Sequence, residues 1–184
     1  MRIRFLALSL LAPFFMSSIA VAGNQSNYGA SLSIATQAMN TIPEYLHGYR
    51  AAVWYQPTSL IWNHTHILFD GSFGHWWVSN NTPHQSLSIL SVSPILRYYF
   101  FNDRYFSPFI NLSIGAAFLT KTRIGKRNLG MHFAFQDQGG IGATFGTAQK
   151  LSLIISAIHY SNGRLCSRNS GFTVPIVATL EYGF

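Results

Sequence analysis

Leu151-Ser152-Leu153-Ile154-Ile155-Ser156-Ala157-Ile158-His159-Tyr160-Ser161-Asn162 is the stretch that decides the fold. Successive side chains of a strand point to opposite faces. Leu151, Leu153, Ile155 and Ala157 therefore share a continuous apolar face, interleaved with Ser152, Ile154, Ser156 and Ile158. Leu87, Ile89 and Ser91 alternate with Ser86, Ser88 and Leu90 in the same way. Strands are predicted near Asn27–Thr36, Tyr45–Tyr55, Leu60–Trp77, Gln85–Phe101, Tyr105–Thr120, Leu129–Gly146, Lys150–Asn162 and Gly171–Phe184. Turn signals separate them at Gln56-Pro57-Thr58-Ser59, Asn80-Asn81-Thr82-Pro83, Asn102-Asp103 and Gly146-Thr147.

Composition decides what such strands enclose. Charged residues are 9 % of the chain, against about 25 % in ordinary globular proteins. Apolar residues are 48 % and aromatics 15 %. Arg2 and Arg4, the apolar run Phe5–Phe15 and Ala20-Val21-Ala22 read as an export signal over residues 1–22. Residues 23–184 then form a single domain. No later stretch reaches the roughly 18 to 20 apolar residues of a spanning helix. The expected fold is all-β, an eight-stranded antiparallel transmembrane β-barrel of a Gram-negative outer membrane. Closure there satisfies every backbone hydrogen bond, which lipid cannot do. The terminal Tyr182-Gly183-Phe184 has the aromatic ending such barrels commonly carry. The rival reading is a secreted soluble sandwich, which would have to hide an unusually apolar surface.

With both ends of the barrel in the periplasm, the fifth and seventh connections face outward. They carry Lys121, Arg123, Lys126 and Arg127, then Arg164 and Arg168. A basic rim on that side faces phosphorylated lipid. It equally suits any barrel that must tolerate such lipid.

His159 and Ser161 sit side by side at the outward end of the seventh strand, roughly 6.6 Å apart at about 3.3 Å per residue. A base beside a hydroxyl is the minimum unit of nucleophilic catalysis. The pair shares the apolar, lipid-side face, where polar groups are costly without a partner or a task. The plain alternative is a pair of wet interfacial residues. His64 and His66 on one strand could bind metal, but no third ligand is near in sequence, and they read as interfacial or lumen residues. Cys166 has no partner cysteine and reads as incidental. No metal or cofactor is expected, and no nucleic-acid partner.

From about Gln85 to Gly171 the chain resembles the outer-membrane lipid A 3-O-deacylases. The matching features are Ser86-Leu87-Ser88, Pro108-Phe109-Ile110, Gly115, Thr122-Arg123-Ile124-Gly125 and Asn128-Leu129-Gly130. Phe133-Ala134-Phe135-Gln136-Asp137, Gly140, Gly142, Ala157-Ile158-His159-Tyr160-Ser161-Asn162, Asn169 and Gly171 complete them. The resemblance implies cofactor-free hydrolysis of the 3-O-linked acyl ester of lipid A. Ser161 is then the nucleophile and His159 the base. Asn162 and Asn169 position the site or donate to the oxyanion, and Phe135 and Asp137 shape it. Arg123, Lys126, Arg127, Arg164 and Arg168 become contacts for substrate phosphates. The implied partners are lipopolysaccharide and outer-membrane lipids, and a homodimer is compatible with this reading. A non-enzymatic barrel for adhesion or envelope integrity, or another lipid-modifying barrel, are the alternatives.

One position departs from the family pattern. The family's acid, twelve residues after the serine, falls on Thr173. Glu181 lies eight residues further, roughly 26 Å along an extended strand and out of reach. Three readings follow, in this order: Asp137 serves as the acid, the Thr173 hydroxyl or a backbone carbonyl orients His159, or the enzyme is impaired.

Overall fold

A computed structural model describes residues 26–36, 45–79 and 83–184. The expected export segment 1–22 and residues 80–82 of the expected turn at 80–83 lie outside the described residues. Eight long strands form the wall: β1 (Tyr28–Thr36), β2 (Leu46–Tyr55), β3 (Thr65–Val78), β4 (Ser86–Tyr99), β5 (Phe106–Leu119), β6 (Phe133–Phe145), β7 (Leu151–Ser161) and β8 (Phe172–Gly183). Each pairs antiparallel with its chain neighbours, and β1 pairs with β8, so the sheet closes on itself. At 9 to 14 residues each, the strands cover the roughly 9 to 11 residues that a membrane crossing needs.

Alternation sorts the two sides. Leu32, Ile34, Val53, Val92, Leu112, Ile114, Ile141, Leu153 and Ile155 point outward and are exposed. An apolar outer surface of this extent belongs against lipid. Inside, the loop end is packed with Trp76, Leu87, Ile89, Leu119, Ala134, Ile158, Tyr160 and Phe172. Ile124 and Leu129, from the fifth connection, cap that core.

Below it the lumen is polar. Arg50 pairs with Asp70, and its Nε donates to Ser72 Oγ at 3.0 Å. Arg97 grips both oxygens of Glu181 at 2.8 and 3.1 Å, donates to Asn111 Oδ1 at 3.0 Å and lies 4.0 Å over the Phe109 ring. A charge buried this way is tolerable only while it is paired. Glu181→Leu is therefore expected to destabilise the barrel by roughly 3–5 kcal/mol, because Arg97 is left buried and uncompensated. Urea unfolding of Glu181→Leu and of Arg97→Met/Glu181→Leu checks this, the double variant recovering much of the loss.

The last strand carries an irregularity that matters for the site. Ser156 faces Val177, but Ile158 faces Val174, so Pro175 and Ile176 together oppose Ala157. Proline cannot donate to the ladder, and a bulge is where a strand accommodates it. The extra residue reverses the side-chain phase. Val177, Thr179 and Glu181 point into the lumen, yet so do Phe172 and Val174, leaving Thr173 outward. Thr173 and Glu181 thus lie on opposite faces of β8.

Two expected boundaries move. The third strand begins at Thr65 rather than Leu60, because residues 58–60 form a 3-10 turn and Ile61–Trp62 folds back on it. Asn63, at φ 51°, makes that tight reversal. The sixth strand begins at Phe133 rather than Leu129, which the loop uses to cap the core.

Candidate active site

His159 and Ser161 leave the outer face of β7 half-buried, while Tyr160 and Asn162 between and beyond them are buried. The register sets their neighbours. His159 stands between Asp137 on β6 and Thr173 on β8. Ser161 stands beside Phe135 on β6. The β8 bulge brings Thr173 there; in the register of the lower half, Val174 would face His159.

His159 Nδ1 and Thr173 Oγ1 are 2.8 Å apart and hydrogen-bonded. Thr173 therefore occupies Nδ1, and no hydrogen bond of the described residues joins Asp137 to His159. Asp137, ranked first as orienter from the sequence, is a cross-strand neighbour instead. A hydroxyl can accept from Nδ1–H or donate to bare Nδ1. Only the first arrangement leaves Nε2 with a lone pair for a serine proton. A carboxylate would enforce it; threonine does not.

The ring has little freedom on its other side. A Cβ at Gly171 would stand 3.1 and 3.2 Å from His159 Cε1 and Nε2, and 2.7 Å from the Tyr160 carbonyl oxygen. Gly171→Ala is expected to lower kcat/KM on the order of 10²-fold, since about 1 Å of misplacement has that effect. Full activity on purified, folded protein would contradict this. Gly163 does the same for Phe135: its φ is +60°, and a Cβ there would meet the Phe135 ring at 2.8 Å. Phe135 in turn packs edge-on against Phe133.

Asn162 ties the two outward loops together. Its Nδ2 donates to the carbonyl oxygens of Leu129 and Arg168 and lies 3.0 Å from Cys166 Sγ. Its Oδ1 accepts from Arg164 N–H, and its own N–H donates to Asn169 Oδ1 at 3.1 Å. Ser170 N–H donates to the Asn128 carbonyl. With its amide engaged by loop carbonyls, Asn162 positions the loops and is not placed to donate to an oxyanion. Cys166 is part of the same knot, its Sγ against the Leu129 and Arg168 carbonyls.

The basic residues ride on this tied platform. Arg123–Ile124 pairs with Arg127–Asn128 in a short hairpin. Arg123, Lys126, Arg164 and Arg168 are exposed and Arg127 is half-buried. A recess of about 510 Å³ opens among Arg164, Leu165, Cys166, Ser167 and Asn169. Below His159 the wall is smooth: Ala157 faces Gly139, where a Cβ would meet only Leu112 at 3.8 Å.

Other histidines do not join the site. His66 is a lumen residue, bonded to Gln56 Oε1 at 3.2 Å and packed on Tyr99. His64 sits in the turn before β3, so the two do not share a strand face. His75 and His132 bond Ser88 Oγ and the Leu119 carbonyl.

A closed eight-stranded barrel with an apolar outer wall, and a histidine–serine pair set into that wall beneath a basic rim, defines a membrane barrel with a lipid-facing candidate active site. Residues 44–179 match the family Lipid A 3-O-deacylase (PagL). The chain belongs to that family. It is 40 % identical over 82 residues to the lipid A deacylase PagL of Pseudomonas aeruginosa, which is 45 % of this chain and 46 % of that one. The matched segment thus spans about half the length of this curated relative. The crystal structure of the outer membrane enzyme PagL superposes with a TM-score of 0.69 at 25 % identity, over 85 % of this chain and 99 % of that one. Neisserial surface protein A (NspA) shares the fold, with a TM-score of 0.51 at 11 % identity over 85 % of this chain and 96 % of that one.

Proposed function

We propose that this chain is an exported outer-membrane esterase that hydrolyses the 3-O-linked acyl chain of lipid A. One observation carries the reading: His159, bonded at Nδ1 to Thr173, shares a lipid-facing wall with Ser161. A base and a hydroxyl on the outside of a barrel meet the esters of a membrane lipid without the lipid leaving its leaflet.

In this reading the Ser161 hydroxyl attacks the ester carbonyl as His159 Nε2 takes its proton. The tetrahedral oxyanion collapses, the C–O bond to the sugar breaks, and imidazolium returns the proton to the departing 3-hydroxyl. Water, deprotonated by the same nitrogen, then frees the fatty acid and regenerates Ser161. Asn169, whose Oδ1 is fixed by Asn162 N–H, supports oxyanion donation through its amide nitrogen, a contribution typically of about 3 kcal/mol. Phe135 backs the serine. The smooth strip at Ala157 and Gly139 suits an acyl chain lying down the wall, and the six cationic side chains of the two loops suit the phosphates above it. The segment 1–22 would direct export and be removed before Gly23.

The reading is tested with purified, refolded protein and lipid A bearing 3-O-hydroxyacyl chains. Release of free 3-hydroxy fatty acid is expected. Phospholipid supplied alone or together with lipid A should remain intact; its hydrolysis, or transfer of its acyl chain to lipid A, would favour another lipid-modifying reaction.

A further inference from the structure

The wall opposite the candidate active site carries a second set of polar groups that the reaction does not use. On the far side of the barrel, β3 lies four strands from β7 in either direction and β2 three, and together they bring His47 opposite Trp77 and Tyr49 opposite His75, all four facing outward near the loop end. Their rings are contiguous, with centroids 5.9 to 6.3 Å apart. His75 Nδ1 is bonded to Ser88 Oγ at 2.9 Å, and His47 Nδ1 to Thr36 Oγ1 at 3.2 Å. The Thr120 hydroxyl extends the polar strip, bonded to the backbone of Ser88.

Two imidazoles on the lipid face are costly unless something outside the barrel answers them. Each has one nitrogen tied to a hydroxyl, so Nε2 is the atom left for that outside partner. The Trp77 indole and Tyr49 phenol add donors. No carboxylate of the described residues competes: Asp70 and Glu181 are in the lumen, Asp137 is on β6 and Asp103 is in the turn after β4. Directly below lie Leu32, Phe73 and Leu90, exposed and apolar. A donor-rich strip above an apolar wall fits an acceptor-rich headgroup with acyl chains beneath it.

We propose that this strip is a second, non-catalytic seat for a phosphorylated glucosamine lipid of the outer leaflet, with Nε2 of His47 and His75 toward its phosphate and Trp77 and Tyr49 against its sugar. The proposal rests on the outer-membrane orientation adopted under the proposed function. Such a seat would fix the height and tilt of the barrel in the leaflet, and with them the depth of Ser161.

The test is native mass spectrometry of the refolded full barrel with bisphosphorylated lipid A already lacking its 3-O-acyl chains. Wild type is expected to retain two lipids. His47→Leu/His75→Leu/Trp77→Leu, which removes only lipid-facing groups, is expected to lose one, and His75→Leu alone to weaken the second. Two lipids on the triple variant, only one lipid on wild type, or equal binding of the unphosphorylated glycolipid would overturn the proposal, the last leaving a generic aromatic girdle. Wild type that holds two lipids yet never cleaves an acylated substrate would instead overturn the proposed function and leave the second seat standing.

Discussion

Thr173→Glu is expected to raise kcat, by on the order of 10² and up to about 10⁴, because an unsuitable third member of a serine triad lowers kcat by about 10⁴. Two effects add. A carboxylate at position 173 accepts only from Nδ1–H, so it fixes the tautomer that leaves Nε2 free to take the Ser161 proton. It also stabilises the imidazolium formed on attack, which a neutral hydroxyl does weakly. Thr173 is half-buried on the outer face and touches His159 at 2.8 Å, so the substitution disturbs no lumen packing. Thr173→Asp controls for reach, and Thr173→Val should fall below wild type because it leaves Nδ1 unbonded. An active wild type that gains nothing from either acid would show that another group already supplies the charge. Asp137, opposite His159 on β6, is then the residue whose change to asparagine should collapse activity.

Ser161→Ala is expected to abolish covalent turnover, and the size of the loss depends on position 173. Removing the nucleophile of an intact triad costs on the order of 10⁶ in kcat. With threonine at position 173 about 10⁴ of that is already forfeit, so Ser161→Ala in wild type should lose on the order of 10². In the Thr173→Glu background the same change should lose on the order of 10⁴ to 10⁶. Such non-additivity is the signature of residues acting as one unit. Equal losses in both backgrounds, read as released 3-hydroxy fatty acid, would show that Thr173 and Ser161 do not work together.

Much of this was legible in the chain. Partial alternation at residues 86–91 and 151–158 gives strands, and few charges with many aromatics give a lipid-facing wall. The phase of Leu151, Leu153 and Ile155 already puts His159 and Ser161 on that wall. The identity of residue 173 also exposes the missing acid. What stayed hidden depends on tertiary context. The bulge that turns Thr173 outward arises at Pro175, and a proline in a strand does not say which neighbour takes up the extra residue. Nothing local marks Asn162 as the tie between two loops, because its partners lie 33 residues back at Leu129 and 6 ahead at Arg168. The third strand starts later than the sequence suggests because Ile61 and Trp62, good strand residues, form a short strand of their own; Asn63 in the left-handed region shows only in three dimensions.

His47, His75 and His159 all face lipid, and all bond a hydroxyl through Nδ1. A hydroxyl partner is thus this barrel's common way of seating an outward imidazole and is not by itself a sign of catalysis. Ser161, two residues on and on the same face, is what sets His159 apart.

The most direct test is the mass spectrum of lipid A from cells expressing wild type, Ser161→Ala and Thr173→Glu, in a host whose lipid A carries a 3-O-hydroxyacyl chain. The account predicts a species lighter by that one chain in wild type, more of it with Thr173→Glu, and on the order of 10²-fold slower formation of it with Ser161→Ala. Lipid A that is unchanged with wild type and with Thr173→Glu, or equally shortened with Ser161→Ala, would contradict it.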